Sequence, residues 1–165
     1  MRIYHGSTAI VEEPSIIRCE IGSDFGYGFY TTDNKEQANS WAKRRAMFEN
    51  RKGIRHAHLV INIYECNDCS VANVLKIKEF DGITMEWLDM IVNWKRDLSH
   101  AHPYDIVIGK IINDDVSETL SYVLQGFMKK EEALERLEGQ KINNQIAFCS
   151  EKALSYLTYQ GYLFE

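Results

Sequence analysis

The sequence predicts an α+β fold in a single domain over residues 1–165. Strand-like and helix-like segments mingle along the chain without the regular βαβ spacing of a parallel, doubly wound sheet. A length of 165 residues is that of one domain, and no internal repeat or Pro/Ser-rich linker divides the chain. With 45% hydrophobic and 26% charged residues, the composition is that of an ordinary folded protein and excludes intrinsic disorder.

Short runs of β-branched, aromatic and other apolar residues predict the strands. A glycine-rich turn at residues 24–28 leads into the second of them. The run from Tyr104 to Ile112 is continuously apolar, which predicts a buried strand. The predicted strands are residues 2–6, 29–32, 58–64, 104–112 and 145–149, with a further apolar run at 71–77 and residues 162–164 closing the chain.

Capping residues and helical periodicity predict five helices. Asp33 and Glu36 have the spacing of a capping box, which predicts that the first helix starts there. Thr84 precedes an apolar pattern with the helical period, and Ser150 is expected to cap the last helix. The predicted helices are residues 33–48, 85–98, 115–125, 130–138 and 150–157.

The overall charge excludes several classes of protein. The 24 acidic and 19 basic residues give a net charge of −5, which excludes a surface coated with cations for nucleic acid or membrane. No apolar run approaches the roughly 20 residues that cross a bilayer, and the N-terminus lacks the apolar stretch of a secretory signal. Four cysteines are too few for a disulfide scaffold, so we expect reduced thiols in a cytoplasmic protein.

One segment departs from this acidic average. Between Trp41 and Val60 the only acid is Glu49, so that the window carries +5 and the rest of the chain −10. A solvated helix face is the usual explanation for such a cluster, and contact with a pyrophosphate or an acidic acceptor is the functional one. The basic residues of the window are Lys43, Arg44, Arg45, Arg51, Lys52 and Arg55.

Two short motifs indicate a function. Tyr4-His5-Gly6-Ser7 resembles the Y-H-G-[ST] motif that opens the ADP-ribosyltransferase fold of diphtheria toxin and the poly-ADP-ribose polymerases. Residues 28–35, GFYTTDNK, resemble the second motif of diphtheria toxin, and the two motifs follow in the family's order. The whole chain also resembles a bacterial domain family of unknown function that is placed near these transferases. The resemblance implies two packed antiparallel sheets with flanking helices and NAD as a substrate.

The resemblance also implies roles for individual residues. His5 would hydrogen-bond a ribose hydroxyl, and Gly6, which has no Cβ, would approach the nicotinamide carboxamide. Tyr30 and Trp41, 11 positions apart, would sandwich the nicotinamide ring. The catalytic residues implied are His5, Tyr30 and Gln145. The NAD-binding residues implied are Tyr4, His5, Gly6, Ser7, Gly28, Phe29, Tyr30, Thr31, Trp41 and Arg45.

The third position of the family motif departs from the pattern. The family's catalytic glutamate lies on a late strand, and the matching position here is Gln145. Glutamine accepts a hydrogen bond from a ribose hydroxyl but carries no charge. Losing a unit charge at ~4 Å, at an effective dielectric near 20, costs up to ~4 kcal/mol, or about a thousandfold in rate. Either the protein is a variant mono-ADP-ribosyltransferase, or it binds NAD or ADP-ribose without turnover.

Other interpretations stay open at this stage. His5 is also explained as a hydrogen-bonded strand histidine, and Tyr30 and Trp41 as core aromatics. The Cys66-x-x-Cys69 spacing with His100 and His102 offers four zinc ligands but lacks a second tight pair, so no metal is expected. A structural protein that inherited the fold is a third function class. The acceptor of a transfer reaction would be an unidentified protein or nucleic acid. The resemblance also implies a possible antidote or neighbour protein as a partner. No membrane is expected to take part.

Overall fold

The computed structural model of the protein describes residues 1–16, 23–54, 57–67, 74–99 and 102–165. Within these ranges the chain forms seven strands and five helices. The strands are β1 (Arg2–Ser7), β2 (Phe29–Thr31), β3 (Val60–Cys66), β4 (Ile77–Glu79), β5 (Ile106–Lys110), β6 (Asn144–Phe148) and β7 (Leu157–Phe164). The helices are α1 (Lys35–Arg51), α2 (Met85–Arg96), α3 (Asp114–Leu124), α4 (Lys130–Leu137) and α5 (Glu151–Leu154).

The strands form two sheets, which confirms the predicted α+β architecture. A three-stranded antiparallel sheet has the order β1-β3-β7, and a four-stranded sheet has the order β2-β6-β5-β4. The prediction that both sheets are antiparallel is wrong, because β4 runs parallel to β5. The reason is that α2 lies between these strands in the chain and supplies the crossover that a parallel pair requires.

The faces of β5 and β6 divide the core into two clusters. Ile106 and Phe148 face the first sheet and pack in a cluster with Ile3 of β1 and Tyr64 of β3. The neighbouring Val107 of β5 and Ala147 of β6 belong instead to a cluster with α2, α3 and α4. This alternation follows from the two-residue period of a strand and confirms that β5 is buried.

Helix α1 packs closely against β1. A Cβ on Gly6 would lie 1.9 Å from the carbonyl oxygen of Ala38 and 2.9 Å from the amide nitrogen of Ala42. Ala38, Ala42 and Ala46 are the buried residues of this helix, and their small side chains allow the close approach. The two sheets meet beside it, where Tyr4 and Thr32 exchange backbone hydrogen bonds of 2.8 and 2.9 Å.

Several element boundaries differ from the prediction, and two of the differences have a clear physical cause. The N-cap of α1 is Asn34 and not Asp33, since the Asn34 side chain accepts a 2.9 Å hydrogen bond from the Gln37 amide. The last helix ends at Leu154 instead of reaching Leu157. Residues from Leu157 onward pair with β3 through its entire length, and this long-range pairing outweighs the local helical tendency.

The cysteines also differ from the expectation of reduced thiols. Cys66 is buried and disulfide-bonded, and its partner lies outside the described residues. A count of cysteines does not reveal which of them the fold holds at bonding distance. Cys149 is free, and burial raises the pKa of its thiol to about 12, so it is protonated.

Part of the considered zinc site and of the basic window lies outside the described residues. Cys69 and His100 of the considered zinc site lie outside the described residues, as does Arg55 of the basic window. The described ranges contain no group of three His, Cys, Asp or Glu residues arranged to hold a metal ion. None of their helices combines the length and apolarity that crossing a bilayer demands.

Candidate functional site

A cleft of about 740 Å³ lies between α1 and the meeting point of the two sheets. Its volume is within the range of small-molecule sites, roughly 300–1,000 Å³. The cleft brings together seven of the residues singled out in the sequence: His5, Gly6, Gly28, Tyr30, Trp41, Arg45 and Gln145. Residues of β1, β2, α1 and β6 therefore line the same cleft although they are distant in the chain.

Four of the residues predicted to bind NAD do not line the cleft. Phe29 and Thr31 point away from it because they alternate with Tyr30 along β2. Phe29 is 1% exposed in the core between the sheets, and the Thr31 hydroxyl donates to the Ile146 carbonyl at 3.0 Å. Tyr4 pairs with Thr32 through its backbone, and Ser7 is buried. Core packing and hydrogen bonds within the fold account for these four residues.

His5 lines the cleft and is held in place by its own contacts. Its Nδ1 lies 2.7 Å from the Tyr30 carbonyl oxygen, and its ring packs on Phe29 at 4.3 Å. Burial, reinforced by the charge of Arg45, lowers the pKa of His5 to about 4, so the ring is neutral at pH 7. A neutral ring that donates through Nδ1 has a lone pair on Nε2. That nitrogen is buried without a hydrogen-bond partner among the described residues.

Tyr30 contributes its ring and not its hydroxyl. The hydroxyl donates to the Gly26 carbonyl at 2.6 Å and accepts from the Phe25 amide at 2.9 Å. Burial and the nearby Asp24 charge raise the pKa of Tyr30 well above its usual value. The hydroxyl is thus a structural group that ties the loop of residues 25–26 to β2. The Tyr30 ring lines the cleft while it also packs against the helical core cluster.

One face of α1 forms the opposite wall. The lining residues of α1 and its C-cap are neighbours on the helix surface and are Trp41, Arg44, Arg45, Phe48, Glu49 and the C-cap Lys52. Arg44 pairs with Asp114 at 3.3 Å, and Lys52 lies 4.4 Å from the centre of the Phe48 ring. No described carboxylate forms an ion pair with Arg45, which is half-buried and close enough to His5 to affect its pKa. Arg45 is therefore suited to bind an anion.

Gln145 is buried at the base of the cleft and contacts a carboxylate. Its Nε2 donates to Asp24 Oδ2 at 2.8 Å and to the Lys110 carbonyl at 3.4 Å. Asp24 also lines the cleft, with only 13% of its side chain exposed and Lys95 Nζ at 3.8 Å from Oδ1. Burial raises the pKa of Asp24, whereas the hydrogen bond from Gln145 and the charge of Lys95 oppose that rise.

Asp24 lines the cleft but was not among the residues predicted from the sequence. It begins the glycine-rich turn that leads into the second motif, and an acidic residue at that place is the only local signal. Its contact with Gln145 joins residues 121 positions apart. Such a contact is visible only once β6 lies beside β2.

The two glycines of the cleft have packing reasons of their own. The close approach of α1 accounts for Gly6, as described above. A Cβ on Gly28 would lie 2.9 Å from the Phe148 carbonyl oxygen and 3.4 Å from Cys149 Sγ. Trp41 similarly packs against the helical core cluster while it lines the cleft. Packing thus accounts for both glycines, and Trp41 both packs against the core and lines the cleft.

The cleft combines an uncharged histidine, two aromatic side chains, a guanidinium with no ion-pair partner in the described part of the chain, and a buried carboxylate. These groups suit an anionic ligand that carries hydroxyl groups and a planar ring. A family of proteins of unknown function, DUF3990, matches residues 1–159, and the chain belongs to this family. Neither a curated protein nor a solved structure matches the chain.

Proposed function

We propose that this member of the DUF3990 family is a mono-ADP-ribosyltransferase that uses NAD and releases nicotinamide. The observation that carries the proposal is the convergence of His5, Tyr30, Trp41, Arg45 and Gln145 on one cleft. The motifs of residues 4–7 and 28–35 resemble those of the diphtheria-toxin branch, and their order along the chain supports the same interpretation. We propose the ADP-ribosyltransferase-like fold on the same grounds, with NAD between α1 and the two sheets.

The chemical groups of NAD match those of the cleft. The nicotinamide ring would stack between Tyr30 and Trp41, which both line the cleft. A ribose hydroxyl would donate to His5 Nε2, whose lone pair is otherwise unused. The pyrophosphate would meet Arg45, since a guanidinium binds phosphate through two parallel hydrogen bonds.

The reaction breaks the bond between the nicotinamide nitrogen and ribose C1′. The electron pair leaves with the nitrogen and neutralises the pyridinium charge, so that the ribose becomes an oxocarbenium-like cation. A nucleophilic atom of the acceptor, or water, bonds to C1′ and releases its proton to solvent. Holding NAD still and placing negative charge near C1′ lowers this barrier.

A binding module without turnover is the second candidate. The observation that favours it is the uncharged amide of Gln145. The ADP-ribosyltransferases that the motifs resemble carry a glutamate at this position. Such a protein would bind NAD or ADP-ribose in the same cleft and serve as a regulator.

Incubation of the protein with NAD separates the two candidates. For the transferase we expect nicotinamide release, and we expect Tyr30→Ala to reduce it at least tenfold because a stacking surface is lost. Tyr162→Ala is the matched control, since Tyr162 is 42% exposed on β7 and does not line the cleft. Heat protection by NAD without nicotinamide release would favour the binding module. Absence of both would contradict NAD as the ligand.

A further inference from the structure

We infer that Asp24 is the carboxylate that stabilises the charge developing on the ribose, and that Gln145 is a positioning residue that holds Asp24 in place. This inference rests on the proposed transfer reaction. It assigns to Asp24 the negative charge that is lost where Gln145 replaces glutamate. The family motif predicts that charge at the position of Gln145, on β6. The structure provides it from the loop that precedes β2 instead.

The geometry of Asp24 fits this role. Its carboxylate borders the same cleft as Tyr30 and His5, and its Oδ2 is held at 2.8 Å by Gln145 Nε2. Lys95 Nζ, at 3.8 Å from Oδ1, is too distant for a short hydrogen bond. A carboxylate has about four lone-pair sites, so acceptor capacity remains for a ribose hydroxyl.

Burial raises the pKa of Asp24 on balance, and the groups around its carboxylate reduce that rise. Gln145 and the backbone amide of Ile112 donate to it, and Lys95 and Arg44 lie near enough for their charges to lower its pKa. Tyr30 faces Asp24 from β2 and remains protonated, so it adds no negative charge. A buried carboxylate costs several kcal/mol in desolvation, and apolar residues of similar volume often serve stability better. The cost is explained if the charge acts on a ligand.

The amide of Gln145 then has a defined task. A glutamate at position 145 would put a second negative charge beside Asp24, and two carboxylates in contact do not both ionise readily. Glutamine avoids that repulsion and donates the hydrogen bond that orients Asp24. The side chains at positions 145 and 24 are thus in contact, and one of them should be a carboxylate and the other an amide.

Substitution of Asp24 by the isosteric amide tests its charge. We expect Asp24→Asn to lower kcat for nicotinamide release by at least about a hundredfold, with a much smaller change in KM for NAD. Asp115→Asn is the matched control, because Asp115 is exposed on α3 and outside the cleft lining. Circular dichroism and heat protection by NAD establish that each variant is folded and binds.

Moving the charge gives a second test. In the double variant Asp24→Asn/Gln145→Glu the amide and the carboxylate exchange places, and we expect kcat at least tenfold above that of Asp24→Asn alone. In Gln145→Met the carboxylate stays but loses its donor, which raises the pKa of Asp24. The acid limb of the kcat profile should therefore move to higher pH, whereas a purely structural loss would lower kcat equally at all pH values.

The outcomes separate this inference from the proposed function. If wild type releases nicotinamide and Asp24→Asn releases it equally fast, the assignment of Asp24 is wrong and the transferase stands. The same holds if Asp24→Asn is impaired only through loss of NAD binding. If wild type releases no nicotinamide, both fail. Should Asp24→Asn not fold, an unmoved acid limb in Gln145→Met overturns the assignment.

Discussion

At the scale of single residues, His5 illustrates how burial sets chemistry. An exposed imidazole takes up a proton near pH 6.5. In the folded protein burial lowers the pKa of His5 to about 4, and the hydrogen bond to the Tyr30 carbonyl fixes the proton on Nδ1. The ring is therefore a permanent acceptor at Nε2 over the physiological range and not an acid.

This depressed pKa predicts a pH dependence of stability. Because the unfolded chain binds a proton at His5 from about pH 6.5 downward and the folded protein only near pH 4, stability is full above pH 6.5 and falls between these values. The loss assigned to His5 amounts to about 3 kcal/mol. We expect the difference in unfolding free energy between pH 7 and pH 4.5, from denaturant titration, to shrink in His5→Gln. His58→Gln, at an exposed position, should keep the wild-type difference.

The sequence identified His5, Tyr30 and Gln145 as neighbours only through family resemblance. Local patterns do not show that Gln145 meets Asp24, since 121 residues separate them. The same limit explains why Phe29 and Thr31 were included in the predicted site. A motif is a run of consecutive residues, whereas a strand presents alternate residues to opposite faces.

At the scale of elements, prediction succeeded where local chemistry decides. Thr84 caps α2 as expected, with its hydroxyl accepting from the Trp87 amide at 3.2 Å. Helices α3 and α4 begin within one residue of their predicted starts, on either side of Gly126, whose φ is +79°. The boundary between α5 and β7 was missed because it depends on β3, about 90 residues earlier in the chain. The parallel β4–β5 pair was missed because it joins strands on either side of α2, and no local pattern shows which strands pair.

The packing of α1 on β1 yields a prediction about Gly6. A Cβ there would lie 1.9 Å from the Ala38 carbonyl oxygen, so Gly6→Ala forces the helix away from the strand. We expect destabilisation of about 3 kcal/mol or more, together with weaker NAD binding because Trp41 moves with the helix. Thermal unfolding and NAD titration measure the two effects.

Gly139→Ala is the comparison for this variant. Its φ of +76° penalises any side chain, but no atom lies within 4 Å of the added Cβ. A cost of about 1 kcal/mol with unchanged NAD binding is expected. Equal effects of the two substitutions would contradict the close approach of α1.

At the scale of the whole molecule, the distribution of charge matters more than its sum. A net charge of −5 repels an anionic ligand at long range. The α1 face nevertheless places Arg44, Arg45 and Lys52 along the cleft. Arg44 is paired with Asp114, so that Arg45 is the cation of the α1 face best able to meet a phosphate. Some basic residues of the window thus line the cleft, and others are solvated on the surface.

This division predicts different outcomes for two arginines of the same helix. Arg45→Gln removes a charge from the cleft wall, and we expect the KM for NAD to rise about tenfold because a charge-assisted hydrogen bond is lost. Arg51→Gln removes the same charge from the exposed last turn of α1 and should leave KM nearly unchanged. Raising the salt concentration shortens the Debye length below about 8 Å and should increase KM for wild type and Arg51→Gln more than for Arg45→Gln. If both variants respond alike, the protein's overall field and not a pyrophosphate contact governs binding.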